Sequence, residues 1–255
     1  MTELPPSGLP AEPWARLQAL MLRLRTDCPW DREQTHATIA PYTIEEAYEV
    51  KEAVDRNDMD ELRDELGDLL FQVLFQSQIA SESGAFTLDD VAEGLVTKMV
   101  RRHPHVFGDA DKPDWDAIKA KERAGKPEAR TLDGVALALP ALMRAQKLQK
   151  RAAKVGFDWP DADGAYDKIA EEAAELRDAA QDERHEEAGD LLFSVVNLVR
   201  KLGIDAEAAL RDANAKFTGR FEAVEDRAGG SVDGLSLEEM DALWEAVKRE
   251  GKSER

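Results

Sequence analysis

Apolar residues along most of the chain recur at intervals of three and four, which is the spacing of amphipathic helices. The first such segment begins near Trp14 and stops at Pro29, because proline breaks a helix. Residues 43–56 and 59–82 predict a helical hairpin across a short polar turn, and a further helix is predicted over residues 87–103. No segment alternates apolar and polar residues for long enough to predict a strand. The pattern therefore predicts an all-α fold.

This periodicity is interrupted between residues 108 and 135, a charged stretch that is rich in glycine and proline. We interpret the stretch as a connector that contains one short helix around Trp115–Arg123. Helical periodicity then resumes, and it ends in an amphipathic helix that contains Trp244. The four predicted helices between the connector and that last helix cover residues 140–155, 165–180, 184–203 and 205–227.

The second half of the chain repeats the first. The sequence "ELGDLLF" at residues 65–71 returns as "EAGDLLF" at residues 187–193, and "EEAYE" returns as "EEAAE". A repeat of about 120 residues is too long for a solenoid unit, which has roughly 20–50 residues. A tandem duplication of a helical domain is therefore predicted. Its parts are an N-terminal domain, a charged linker and a C-terminal domain: residues 14–107, 108–135 and 136–250.

Each repeat carries acidic residues beside its apolar stripe rather than opposite it. Successive residues of an α-helix turn by about 100°, so Glu46 and Glu49 share one helix face, and Glu65 and Asp68 share a face of the next helix. These faces meet in an antiparallel hairpin and bring four carboxylates together. The second repeat offers the equivalent set: Glu172, Glu175, Glu187 and Asp190.

Four neighbouring carboxylates are unfavourable without a counter-charge, and a divalent cation removes that conflict. Ligands that are all oxygen suit Mg²⁺ or Mn²⁺ rather than zinc. A di-iron bundle would carry two Glu-x-x-His motifs, and the sequence has only one, from Glu33 to His36. Acidic helices are more commonly solvated surfaces, but recurrence in the same Gly-Asp-Leu-Leu-Phe context favours a metal site.

Charge and composition narrow the range of partners. The formal charge of −19 argues against binding of long nucleic acid, which depends on Lys and Arg neutralising phosphates. No apolar run approaches the ~20 residues that span a bilayer, and the first residues lack the order of a signal peptide. The single cysteine, Cys28, rules out an internal disulfide. We therefore expect a soluble, cytoplasmic protein that has no membrane partner.

With both acidic helices identified, the sequence resembles the MazG family of nucleoside triphosphate pyrophosphohydrolases. The hallmark is Glu-Glu-x-x-Glu on one helix and Glu-x-x-Asp on the next, and this chain has it twice, as "EEAYE"/"ELGD" and "EEAAE"/"EAGD". Further resemblance lies in "CPWDREQTHATIAPYTIEEAYEV", "RRHPHVFGD", "KVGFDWPD" and "NAKFTGRF". The resemblance runs from about residue 14 to residue 250.

This resemblance implies helical bundles completed by dimerisation, a homodimer and dependence on Mg²⁺. It implies cleavage of nucleoside triphosphates between the α and β phosphates, which yields a nucleoside monophosphate and pyrophosphate. Carried over by position, the metal ligands would be Glu46, Glu49, Glu65 and Asp68 in the first domain, and Glu172, Glu175, Glu187 and Asp190 in the second.

Other residues receive roles in the same chemistry. A carboxylate that the metal leaves free, Glu45 or Glu171, would orient or deprotonate the attacking water. Lys216 and Arg220, one helical turn apart, would assist catalysis by facing the phosphates and the leaving pyrophosphate. An ordinary exposed helix face is the alternative for that pair. The expected nucleotide-binding residues are Asn214, Lys216, Arg220, their counterparts Lys98 and Arg102, and Trp244.

The two repeats are not identical. Fifteen residues separate the two acidic motifs of the first repeat and eleven separate those of the second, which predicts a tighter turn in the second hairpin. Val96 stands in the first repeat where Asn214 stands in the second, so the first lacks one phosphate-side contact. We expect the second domain to be the better catalyst. Activity in both domains and a structural or regulatory role for one of them remain open.

Aromatic residues precede each acidic helix. Trp30 and His36 in the first repeat, and Phe157 and Trp159 in the second, would line a base pocket or pack in the core, and both readings remain open. His103 and His105, at the end of the first repeat, suggest a helix-end cap or a packing role more than a metal pair. Trp244 would fold back over the nucleotide, or its helix would close the dimer.

The function expected from these features is Mg²⁺-dependent (or Mn²⁺-dependent) hydrolysis of nucleoside triphosphates, broad in base preference, for nucleotide-pool sanitation or control. A narrower enzyme that acts on dUTP or on one modified nucleotide is an alternative. A non-catalytic helical interaction protein that keeps metal for stability is a second alternative, from a different class.

Overall fold

The computed structural model describes residues 8–108 and 130–253. Most of the predicted linker, including the short helix predicted around Trp115–Arg123, lies outside the described residues. The described residues before and after this gap belong to two separate units. We call residues 8–108 unit 1 and residues 130–253 unit 2. Within the described residues every regular element is an α-helix, which confirms the predicted fold class. None of the described helices is long and apolar enough to cross a membrane.

Unit 1 is built around a pair of long helices, α3 and α4, that form the predicted hairpin. Asn57 adopts a left-handed conformation with a φ of 54°, which turns the chain sharply at the end of α3. The carboxylate of Asp58 then caps α4 by accepting from the backbone N–H groups of Asp60 and Glu61, both at 3.1 Å. The six helices among the described residues of unit 1 are α1 (Pro13–Asp27), α2 (Pro29–Glu33), α3 (His36–Arg56), α4 (Met59–Glu82), α5 (Leu88–Arg102) and α6 (Pro104–Phe107).

Helix α3 begins seven residues earlier than predicted, at His36 rather than Thr43. Thr35 caps its first turn by accepting from the N–H of Thr38, whose side chain accepts from the N–H of Thr35 in return. Pro41 lies inside the helix and removes one backbone hydrogen bond near its start. The strong cap offsets that loss, so the proline does not mark the helix boundary.

The core of unit 1 fixes α4 against α1 and α3. Phe75 is fully buried, and it forms one cluster with Met21, Ile39 and Leu74. Partly buried Phe71 meets Phe75 edge-on, with ring centroids 5.8 Å apart. These contacts hold the apolar face of α4 inward, so the acidic face of the same helix lies beside α3.

Unit 2 repeats the hairpin with helices α8 and α9. Over residues 130–253 its five helices are α7 (Ala141–Ala153), α8 (Asp163–Asp178), α9 (Arg184–Lys201), α10 (Ala206–Arg227) and α11 (Leu237–Ser253). Its buried apolar residues, among those described, are valine and alanine only: Val135, Ala165, Val196, Ala206, Val224 and Val247. The described interior of unit 2 therefore holds smaller side chains than that of unit 1.

The predicted tighter turn in the second hairpin is wrong. The first hairpin turns within two residues, Asn57 and Asp58, whereas residues 179–183 connect α8 to α9. The shorter spacing in the second repeat arises because both of its helices extend less far beyond the acidic motifs. The difference in spacing is a difference in helix length, which the residue count alone does not reveal.

Candidate metal and nucleotide site

The hairpin of unit 1 brings three carboxylates together. Glu46 and Glu49 lie on α3 and Glu65 on α4, and one oxygen from each lies within 4.8 Å of the others. Burial raises the pKa of Glu46, and the charges of Asp68, Glu49 and Glu65 raise it further. Burial is the largest cause of the raised pKa of Glu65, and the charges of Glu49 and Asp68 add to it. Asp68 lies outside the three-oxygen group, but it belongs to the same electrostatic cluster.

The hairpin of unit 2 gathers a similar group with different members. Oxygens of Glu172, Glu187 and Asp190 lie within 4.8 Å of one another. Burial raises the pKa of Glu187, and the charges of Glu175, Glu172 and Asp190 add to the effect. Glu175, predicted to belong to the group, therefore acts on it through its charge and lies outside the closest set.

These two groups suit a hard divalent cation. Three carboxylate oxygens at such short separations repel one another, and this repulsion adds to the effect of burial in raising the pKa of Glu46, Glu65 and Glu187. A cation such as Mg²⁺ or Mn²⁺ prefers oxygen ligands and would replace the repulsion with attraction. The donor atoms of both groups, as the structure arranges them, therefore fit the metal that the sequence pattern predicts.

A positively charged side chain, Lys168, lies beside the acids of unit 2. The Lys168 ammonium contacts Glu172 at 2.7 Å and Glu171 at 2.8 Å, and hydrogen bonds to Glu171 and Glu172 raise its pKa. Glu172 is also the most buried acid of either group, at 5% exposure. Tyr42 occupies the position of Lys168 in unit 1, so the two groups differ in fixed positive charge. Lys168 was not among the residues predicted from the sequence, although its place four residues before Glu172 predicts a contact on the same helix face.

The two candidate bases have different surroundings. Glu45 is exposed on α3. Glu171 is also exposed, and it is held by Lys168. Each lies next in sequence to an acid of its three-oxygen group.

The basic residues proposed to bind phosphate lie on other helices. Lys98 and Arg102 are on α5, while Asn214, Lys216 and Arg220 are on α10. Among the described residues of unit 2, no hydrogen bond or ion pair connects Lys216 or Arg220 to the acidic group. Trp244 on α11 packs against Phe217 with ring centroids 5.4 Å apart. The tryptophan therefore lies next to the helix that carries the Lys216–Arg220 pair.

A cavity of about 750 Å³ adjoins the acidic group of unit 2. Its lining includes Phe157 and Trp159, two of the aromatic residues for which a base pocket and core packing were both open, and it also includes Lys168, Glu172 and Asp190. Much of the remaining wall is polar and was not predicted from the sequence: Gln149, Ser194, Asn197 and Arg200. The sequence contains one signal of this polar wall, because the polar Asn197 stands within the apolar run "LLFSVVNLV".

The aromatic wall of this cavity is held in place by charged contacts. Arg200 donates to Asp158 at 2.6 Å and to Asn197 Oδ1 at 2.9 Å and 2.6 Å. Lys201 donates to the backbone oxygen of Trp159 at 2.5 Å. A Cβ at Gly164 would lie 2.3 Å from the Trp159 ring, so glycine is needed there for the indole to lie against the first turn of α8.

The first-repeat aromatic residues and the histidine stretch form local contacts. Trp30 meets Tyr42 edge-on at 6.3 Å, and His36 Nδ1 lies 2.5 Å from Gln76 Oε1. His103 caps the end of α5, where its Nδ1 lies 2.7 Å from the backbone oxygen of Met99. The contact agrees with the helix-end role favoured by the sequence.

Similarity to known proteins covers both hairpins. The MazG nucleotide pyrophosphohydrolase domain profile matches residues 34–107 and 164–224, and each match contains one acidic group. The chain is 50% identical over 254 residues to the nucleoside triphosphate pyrophosphohydrolase of Escherichia coli (strain K12), an alignment that covers 92% of this chain and 97% of the relative. It is 46% identical over 241 residues to the nucleoside triphosphate pyrophosphohydrolase/pyrophosphatase MazG of Thermotoga maritima, covering 91% and 94%.

Proposed function

The chain belongs to the MazG nucleotide pyrophosphohydrolase family, and we propose that it is an enzyme that hydrolyses nucleoside triphosphates to nucleoside monophosphates and pyrophosphate. The observation that carries the proposal is the three-carboxylate group at each hairpin, within residues that match the family domain. We propose a role in nucleotide-pool sanitation or control, in the cytoplasm, where a chain with a single cysteine is suited to reducing conditions.

We propose Mg²⁺, or Mn²⁺ in its place, as the cofactor. The proposed ligands are Glu46, Glu49, Glu65 and Asp68 in unit 1, and Glu172, Glu175, Glu187 and Asp190 in unit 2. When bound, the cation would neutralise phosphate charge and lower the pKa of a water molecule. The closeness of three oxygens in each group and the electrostatic contribution of the fourth acid support this assignment.

Next to these ligands, Glu45 and Glu171 are proposed to orient or deprotonate the attacking water. The water oxygen would attack the α-phosphorus, the bond to the bridging oxygen would break, and pyrophosphate would leave. Lys168 holds Glu171 at 2.8 Å. The lysine therefore fixes the direction of that carboxylate in unit 2, while Glu45 in unit 1 is exposed.

For the phosphates we propose Lys216, Arg220 and Asn214 in unit 2 and Lys98 and Arg102 in unit 1, with Trp244 over the nucleotide. A homodimer is proposed as well. Exposed apolar side chains such as Leu192 and Phe217 offer a surface for that assembly.

Unit 2 is proposed as the better catalyst. Its acidic group contains the most buried carboxylate and adjoins a cavity large enough for a ligand, since small-molecule pockets occupy roughly 300–1,000 Å³. A narrower activity on dUTP or a modified nucleotide stays an alternative within the same chemistry. The non-catalytic alternative predicts stabilisation by Mg²⁺ without pyrophosphate release.

The test is product analysis with a panel of nucleoside triphosphates and Mg²⁺. We expect pyrophosphate and monophosphate as products, and release of orthophosphate with diphosphate would contradict the proposed bond. Glu172→Ala should lower kcat about a hundredfold or more if unit 2 carries the chemistry, because it removes a metal-binding carboxylate. Glu46→Ala should then have a small effect.

The control for these substitutions is Glu186→Ala, which removes an exposed acid on α9 outside the three-oxygen group. We expect this variant to retain the kcat of the unmodified protein. If neither Glu172→Ala nor Glu46→Ala lowered turnover, the carboxylate assignment would be wrong.

A further inference from the structure

The cavity of unit 2 is continuous with the acidic group. Glu172 and Asp190 belong to both, and Lys168 lies at the same end of the cavity. A triphosphate bound at the acids would therefore leave the rest of its molecule beside the cavity. The lining of the cavity also contains Phe157, Trp159 and Phe193, which are aromatic surfaces of the kind on which nucleobases stack.

Gln149 gives this wall an unused hydrogen-bond acceptor. The residue is only 6% exposed, and its Nε2 donates to the backbone oxygen of Phe193 at 2.8 Å. That bond assigns the nitrogen and the oxygen of the side-chain amide, because two oxygens would repel each other if Oε1 faced the carbonyl oxygen. Gln149 Oε1 is buried and has no donor among the described residues. A buried acceptor without a partner is costly, and a ligand that brings an N–H group would satisfy it.

Unit 1 has different side chains at two of the positions that line this cavity. Gln72 follows the Gly-Asp-Leu-Leu-Phe motif of unit 1, where Ser194 follows it in unit 2. Three residues further on, Phe75 is fully buried in the core of unit 1, whereas Asn197 lines the cavity in unit 2. Larger side chains thus occupy these two positions in unit 1. The two repeats therefore differ in side-chain volume at the positions that line the cavity in unit 2.

We propose that the cavity binds the base of the nucleoside triphosphate, with Gln149 accepting a hydrogen bond from an N–H group of that base. The inference rests on the proposed function for its ligand and extends it by assigning base recognition to unit 2. Ser194 and Asn197 keep the pocket open, and Arg200 acts as a positioning residue that holds Asp158 and Asn197. Because each common base carries an N–H donor, the pocket accepts all of them, and it discriminates against a base that lacks one.

The first test fills the pocket. Ser194→Gln places the unit 1 side chain in unit 2, and we expect it to weaken binding of α,β-methylene ATP by roughly tenfold or more, through overpacking. Binding of α,β-methylene ribose triphosphate, which has no base, should stay within about twofold. Ala209→Gln, an exposed site on α10, is the matched control and should change neither dissociation constant. Equal weakening of both ligands, or of neither, would overturn the proposal.

The second test removes the acceptor. The only N–H groups on the base of ATP belong to its 6-amino group, and purine riboside triphosphate lacks them. The unmodified protein should bind the α,β-methylene analogue of ATP about two- to tenfold more tightly than that of purine riboside triphosphate, the range of one hydrogen bond. Gln149→Met should abolish this preference. A preference that survives in Gln149→Met would overturn the role of Gln149, whatever the stability of the variant.

Both tests measure dissociation constants by calorimetry with Mg²⁺ and ligands that cannot be cleaved between the α and β phosphates. The pocket and the reaction can therefore fail separately. An unmodified protein that releases no pyrophosphate from ATP would contradict the proposed function, while base-independent binding would contradict the pocket.

Discussion

At the scale of single residues, the two repeats solve the same electrostatic problem differently. Unit 1 relies on acids alone, and the pKa values of Glu46 and Glu65 rise as a result of burial and like charge. Unit 2 adds Lys168, which pairs with Glu172, while the pKa of Glu187 still rises. The unit 2 group therefore carries part of its counter-charge permanently.

These pKa shifts predict how metal and pH act together on stability. Carboxyls whose pKa is raised in the folded state contribute stability that is complete below the unfolded value of 4.5 and lost as pH rises through the folded values. A bound cation stabilises the folded protein in the opposite pH range, at higher pH, because it binds the ionised carboxylates. We expect Mg²⁺ to raise Tm more at about pH 8 than at about pH 5.5, measured by circular dichroism.

The control is the double variant Glu65→Gln/Glu187→Gln, which removes one raised carboxyl from each group. At the higher pH, its Mg²⁺-induced rise in Tm should be smaller than that of the unmodified protein. An increase in Tm that is the same at both pH values in the unmodified protein would contradict competition between protons and metal at these acids.

At the scale of helices, the burial of apolar residues on one face of α4 determines the position of the acidic residues on its other face. Phe75 and Leu74 lock the helix against α1 and α3, and Glu65 and Asp68 lie on the same helix. The positions of the acids thus depend on apolar residues one to three turns away. In α9 the smaller Val196 and the polar Asn197 replace Leu74 and Phe75, and a cavity is present.

Phe75→Ala should therefore destabilise unit 1 strongly. Truncation of a fully buried phenylalanine costs about 3–5 kcal/mol of unfolding free energy, measured by urea denaturation. Val73→Ala, on the exposed side of the same helix at 39% exposure, is the control and should cost less than about 1 kcal/mol. Equal losses for both variants would mean that the described cluster is not the core of this unit.

At the scale of the whole molecule, many large apolar side chains are exposed in both units. Leu66 on α4 and Leu192 and Phe193 on α9 are each between 44% and 59% exposed, although they lie next to the acidic motifs. Exposed apolar residues on the helices that carry a site mark a surface for a further protein. The proposed occupant is a second copy of the chain.

Sedimentation should therefore give a mass of twice 28.3 kDa at micromolar concentrations. Leu192→Glu should shift the protein towards the monomer, because a charge in an apolar interface is costly. Leu137→Glu changes a leucine that is 83% exposed and precedes α7, and should leave the mass unchanged. A monomer at every concentration would contradict the proposed homodimer.

Much of the fold could be predicted from sequence because it depends on local periodicity. Residues 59–82 were predicted as a helix, and α4 has those bounds, since its apolar and capping residues agree along the whole segment. The start of α3 and the turn after α8 were missed. A cap contact can keep a proline within a helix, and a residue count does not distinguish a short helix from a short turn.

The sequence by itself determined the helical fold, the duplication and the carboxylates to be considered, because each follows from spacing along one or two helices. The tertiary structure decided which three oxygens of each set come closest, that Lys168 joins one set, and that Asn197 and Gln149 line a cavity while Phe75 fills a core. Those outcomes depend on distances between helices and on the volume of side chains that meet across them. "ELGDLLF" and "EAGDLLF" look equivalent along the chain, and only the packing around them shows that Phe75 is buried in a core while its counterpart Asn197 lines a cavity.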